Sequence, residues 1–119
     1  MTVSVMALSV DCADPEKVAG FWAAALGRDV SPGATADRAR IAAAEAGAAV
    51  PLLLFHRVPE PKTVKNRLHL DLGTTDAAGQ TEWLIGLGAT VLHVFEEGGR
   101  HRWTTFADPE GNEFDLVSV

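Results

Sequence analysis

Residues 65–73 read KNRLHLDLG, and within them Arg67, His69 and Asp71 alternate with Leu68, Leu70 and Leu72. Alternation of this kind predicts a strand with one apolar face in a core. The opposite face then carries a guanidinium, an imidazole and a carboxylate in a row, and is either water-facing or the lining of a site. An imidazole can ligate a metal or contact a bound molecule. A guanidinium suits a carboxylate or a phosphate. The bland readings stand beside these: His69 hydrogen-bonds a neighbour such as Asp71, or Arg67 pairs with Asp71.

A second set of candidates lies at the chain end, where EFDLVSV places Phe114 and Leu116 on one face and Glu113, Asp115 and Val117 on the other. Two close carboxylates can raise one pKa and create an acid or a base. Asp115 is expected in a pocket and Glu113 in solvent. Trp103 either stacks on a flat ligand or packs in the core. Trp22 and Trp83 are expected in the core between helix and sheet, and His93 and His101 at the surface. Cys12 precedes a helix start, where a thiolate can be stabilised, but no histidine lies near it in sequence and a structural role is expected. The chain contains no phosphate loop, dinucleotide fingerprint, nucleophile elbow or paired Cys/His zinc spacing.

These residues need elements to hold them. Val3 to Val10 reads as a strand. Asp14, Pro15 and Glu16 then start a helix in which Val18, Phe21, Trp22, Ala25 and Leu26 recur at helical spacing until Gly27. RARIAAA and AAVPLLLFHRV predict a hairpin with EAG as its turn, although the alanines by propensity favour helix. PEPKTVKN, residues 59–66, is a connector whose two prolines disfavour regular structure. RLHLDL is the next strand. A second helix starts at Thr75 or Asp76, carries Trp83, Leu84 and Leu87, and ends at Gly88. ATVLHVF and RHRWTTFA are strands joined by EEGG, and DPEGN turns the chain into the last strand.

W-x-x-x-L-G occurs twice, at Trp22–Gly27 and Trp83–Gly88, and each half reads strand, helix, then three strands. Half-length periodicity of this sort predicts an internal duplication rather than a solenoid. A βαβββ unit leaves one sheet face uncovered, and two such units can enclose a cavity.

The bulk numbers narrow the class. A chain of 119 residues suits one domain, expected to span 1–119 as module one (1–58), connector (59–66) and module two (67–119). A net charge of −6 argues against nucleic acid and against an anionic membrane surface. One cysteine permits no intrachain disulfide and no paired-cysteine zinc site, and predicts a reducing, cytoplasmic setting. No run approaches membrane-spanning length.

Taken in order, DPEKVAGFWAAALG, PLLLFHRVPEPKTVKNRLHLDL, WLIGLGATV and WTTFADPEGNEFDL resemble the vicinal oxygen chelate superfamily, which includes glyoxalase I, extradiol dioxygenases and bleomycin-resistance proteins. The similarity covers nearly the whole chain and is greatest to the small glyoxalase-like domains. It implies an α+β fold of two βαβββ modules, a curved mixed sheet around a cup-shaped pocket, and a homodimer. It also implies metal ligands on the first and last strand of each module. In the second module these positions fall on His69 and on Asp115, where relatives often carry glutamate. In the first module, Ala7 or Leu8 stands at one ligand position and neither binds metal, and the last strand offers His56. A triad of His56, His69 and Asp115 would suit zinc, nickel, manganese or iron.

The expected function is therefore a glyoxalase-like protein that binds a small organic molecule without a complete metal site. Its pocket would be lined by His56, Arg67, His69, Asp71, Trp103 and Asp115. The alternatives are a metal-dependent lyase, isomerase or dioxygenase acting on a vicinal-oxygen substrate, and a protein-interaction module with a vestigial pocket.

Overall fold

A computed structural model describes residues 2–44 and 50–119. The chain divides into two compact units, Met1–Pro61 and Lys62–Val119. Between them the described residues form two helices and seven strands in two small mixed sheets, an α+β fold as expected.

The first unit runs β1 (Ala7–Cys12), α1 (Pro15–Leu26), β2 (Arg38–Ile41) and β3 (Leu52–Arg57). Its sheet order is β1-β3-β2, with β1 parallel and β2 antiparallel to β3. The expected capping holds. Asp14 accepts from the Lys17 N–H, Pro15 occupies the first turn, and Gly27 closes the helix at φ 65 with its N–H on the Ala23 and Ala24 carbonyls. Val18, Phe21 and Trp22 are buried, and α1 packs on β2 and β3, whose Ala39, Ile41, Leu53 and Phe55 complete the core.

Two expectations for this unit change. The first strand begins at Ala7, not Val3, because register with β3 starts at the Ala7–Leu52 pair and Val3, Val5 and Met6 lie exposed. Only two strands, not three, follow α1 among the described residues. The segment after α1 does reach the edge of β2, through Ser31 N–H to Arg40 O (2.9 Å) and Thr35 N–H to Arg38 O (2.8 Å). Pro32 has no N–H to extend a ladder there, and Gly33 turns away at φ 96. The EAG turn, at residues 45–47, lies outside the described residues; the hairpin strands on either side of it are present.

The second unit runs β4 (Asp71–Thr74), α2 (Ala77–Leu87), β5 (Thr90–Glu97), β6 (Arg100–Ala107) and β7 (Glu113–Ser118), in sheet order β4-β7-β6-β5. The β4–β7 pair is parallel; the β5–β6 and β6–β7 pairs are antiparallel. Asp76 caps α2 through the Gly79 N–H (3.0 Å), and Gly88 ends it in a left-handed conformation. Gly98 and Gly99, both at positive φ, form the two-residue turn between β5 and β6. Thr104, Phe106, Phe114 and Leu116 are buried on one face of the sheet, with the Phe106 and Phe114 rings stacked at 5.3 Å.

Here too the sequence reading needs correction. The RLHLDL strand is shorter than its alternation suggests: β4 starts at Asp71, and Leu68 is 87% exposed instead of packed in a core. The partner strand sets this limit. Asp115 N–H donates to Leu70 O (3.0 Å), and β7 begins only two residues earlier. Trp83 is 51% exposed although its counterpart Trp22 is buried, so the repeated motif records the helix ends and not a shared packing role.

Candidate functional site

The face of the second sheet opposite Phe106 and Phe114 carries the polar candidates. Register places Asp71 beside Asp115 and Asp115 beside Thr105, one row across β4, β7 and β6. The DPEGN turn delivers β7 into that register. The Asp108 carboxylate is buried and accepts from Glu110 N–H (2.8 Å) and Asn112 N–H (3.0 Å). Asp108 N–H bonds the Asn112 carbonyl (2.8 Å), and Gly111 makes the bend at φ 87. Glu113 and Asp115 then emerge on the same side of β7.

His69 joins this row. Its Nδ1 lies 2.8 Å from Asp71 Oδ1 and 4.0 Å from Asp115 Oδ2. An ionised carboxylate only accepts, so in this pair Nδ1 is the donor. Thr105 donates its hydroxyl to Asp115 Oδ1 at 2.7 Å, which orients that carboxylate. His69, Asp71 and Asp115 each present a potential ligand atom within 4.8 Å of one another.

His69 also lines a pocket with Val64, Lys65, Asn66 and Arg67. Its volume of about 640 Å³ falls in the range of small-molecule sites. Asp71 is bonded to His69, so the alternative pairing of Arg67 with Asp71 is not the one formed. Among the described residues neither Lys65 nor Arg67 has an ion-pair partner.

Glu113 is not the solvent-facing carboxylate expected. Its side chain is only 15% exposed, its Oε1 lies 3.1 Å from Lys62 Nζ, and it accepts from the Asn66 N–H at 2.8 Å. Desolvation pushes its carboxyl up, but the Asn66 N–H and the Lys62 ammonium outweigh this and hold it below the usual glutamate value.

The remaining candidates have surroundings of their own. His56 is exposed near the end of β3 in the first unit, opposite Asp11 and Arg38. Trp103 shares the sheet face of Thr105 and stacks on Phe95 with ring centroids 4.3 Å apart. His93 is exposed. His101 is not a plain surface residue: its Nδ1 lies 2.6 Å from Ser118 Oγ and its Nε2 lies 2.7 Å from the buried Thr104 Oγ1. A register shift between β5 and β6 at Phe95–Glu96 accompanies that placement. Cys12 is buried, with its Sγ on the His56 carbonyl.

Sequence reasoning missed Lys62, Lys65, Asn66 and Thr105. The first three sit in an aperiodic connector that gives no pattern to read. Thr105 is visible only through cross-strand register, although its alternation with Trp103 on β6 places both on one face.

Comparison with known proteins adds the family. The glyoxalase-like domain family matches residues 7–117. No curated protein matches. The fold is similar to a glyoxalase-related enzyme from Fulvimarina pelagi (16% identity, TM-score 0.72, covering 98% of this chain and 88% of that one). It is also similar to a mutant of the fosfomycin resistance protein FosX from Listeria monocytogenes, complexed with Mn(II) and 1S,2S-dihydroxypropylphosphonic acid (13%, 0.74, 98% and 90%). A third similar structure is lactoylglutathione lyase from Agrobacterium tumefaciens (11%, 0.63, 99% and 95%). The match of the family over nearly the whole chain and the shared fold lead to one conclusion: this chain belongs to the glyoxalase-like domain family.

Proposed function

We propose that the protein binds a small organic anion, a carboxylate or a phosphonate, at the pocket walled by residues 64–67 and His69. One observation carries the reading. In a chain of net charge −6, Lys65 and Arg67 line the same pocket, and among the described residues no carboxylate is paired to either. An anion would take charge-assisted hydrogen bonds from both, with His69 held at the pocket by Asp71. The phosphonic acid bound by the FosX mutant is an anion of this class, which supports the reading without identifying the ligand.

Phosphonoacetate, which carries both anionic groups, is the probe, with acetamide as a neutral control, in isothermal titration calorimetry. Arg67→Ala should weaken phosphonoacetate binding by about 1.5–3 kcal/mol, at least tenfold. Equal binding of acetamide, or no effect of Arg67→Ala, would sink the proposal.

The cluster of His69, Asp71 and Asp115 favours a second reading, a metal-dependent lyase, isomerase or dioxygenase. One imidazole and two carboxylates suit manganese, iron, zinc or nickel. This set has Asp71 where the sequence reading placed His56. When bound, the ion supplies Lewis acidity to vicinal oxygens of a substrate. Inductively coupled plasma mass spectrometry on untagged protein tests it: near-stoichiometric metal in the wild type should vanish in His69→Ala. Equal metal content in the two proteins would exclude these ligands.

In either reading the protein acts as a homodimer in the cytoplasm, with residues 1–119 as one domain.

A further inference from the structure

The pocket wall has no regular secondary structure of its own, since residues 62–70 lie in neither helix nor strand. Isolated side chains on such a segment would not hold a fixed geometry. Two of its positions, however, converge on one carboxylate. Lys62 Nζ lies 3.1 Å from Glu113 Oε1 and 3.2 Å from Oε2, and the Asn66 N–H donates to Oε1 at 2.8 Å. The same Lys62 ammonium donates to the Val64 carbonyl. Glu113 begins β7 immediately after the DPEGN turn, and Lys62 Cγ lies at ordinary van der Waals distance, 3.8 Å, from the position a Cβ on Gly111 would take.

We propose that Glu113 is a positioning residue that fastens the 62–66 segment to the start of β7 and so fixes the pocket wall. The inference rests on the reading of that pocket as an anion site. The fastening does two things there. It tethers the backbone on both sides of Lys65 and immediately before Arg67, so both cations are presented with less ordering left to occur on binding. It also neutralises Glu113 with Lys62, which removes a negative charge that would oppose an anion on the same wall. Both side chains are sheltered, at 15% and 24% exposure, so the pair is screened less than a surface pair.

The test uses the full chain and three variants: Glu113→Ala, Glu113→Gln and Lys62→Met. Amide hydrogen exchange of residues 62–70 reads the fastening, and calorimetry with phosphonoacetate reads the site. In Glu113→Ala the Asn66 amide should exchange at least tenfold faster while the amides of β6 and β7 keep their protection. Phosphonoacetate affinity should fall roughly tenfold, the scale of one or two side chains left to be ordered. Glu113→Gln keeps an acceptor for the Asn66 N–H and should restore Asn66 protection, a rescue that a general loss of packing would not show. Lys62→Met leaves β7 unaltered and should loosen the segment even if Glu113→Ala unfolds the unit. Unchanged Asn66 exchange in Glu113→Ala overturns the fastening. Faster exchange with unchanged affinity overturns its role in the site. If the wild type binds no phosphonoacetate, the anion reading fails, and the exchange data alone decide whether Glu113 fastens the segment.

Discussion

At the scale of single residues, the behaviour of each carboxylate follows from its partner. Asp71 accepts from His69 Nδ1, Asp115 is oriented by Thr105, and Glu113 is held by Lys62 and the Asn66 N–H. For Glu113 these contacts hold the carboxyl below its ordinary value. A lowered folded-state pKa means the contact stabilises the fold above the ordinary glutamate range and is lost as the pH falls through the lowered value. Glu113→Gln should therefore flatten the acid limb of stability, measured by urea midpoints from pH 7 down to pH 3, with its largest deficit near neutrality. An equal deficit at all pH values would contradict this assignment. The sequence shows Glu113 and Asp115 on one face but does not show which is sheltered, because the sheltering group is 51 residues away along the chain.

Elements are where sequence and structure agree most closely. Both helices begin at an aspartate whose side chain accepts a backbone N–H, and both end at a left-handed glycine. Gly27→Ala would force a Cβ into the left-handed region at φ 65 and should cost roughly 1–2 kcal/mol in chemical unfolding. The space around Gly27 is open, so any loss would come from backbone conformation and not from a clash. Phe106→Ala removes a fully buried ring stacked on Phe114 and should cost about 3–5 kcal/mol. A much smaller loss would mean the second unit's core collapses readily around the gap. Strand ends were less legible. Alternation told which face of RLHLDL is polar but not where pairing starts, since a strand extends only as far as a neighbour offers hydrogen bonds.

For the whole molecule, β5 is the element that bears on assembly. It is an edge strand, and Val91, Leu92 and Val94 on it are exposed together with Trp83 and Ile85 on α2. Unpaired edges with apolar side chains invite association. Size-exclusion chromatography with light scattering should give twice the 12.6 kDa chain mass, and Leu92→Lys should shift the protein toward monomer. A wild-type monomer at micromolar concentration would exclude the homodimer. Among the described residues no helix is long and apolar enough to cross a membrane.

The sequence by itself determined the local features: the cap of the first helix and the glycine ends of both, the two-glycine turn, the DPEGN turn, and the two faces of β7. Each depends on residues within a few positions of one another, so the code is short-range and readable. Only the tertiary structure decided which polar groups meet. It brought His69 to Asp71 and Asp115, separated Arg67 from Asp71, hung the connector from Glu113, and left Leu68 and Trp83 exposed. Those outcomes depend on cross-strand register and on contacts between distant segments. Register is a property of two strands together, and no single stretch of sequence contains it.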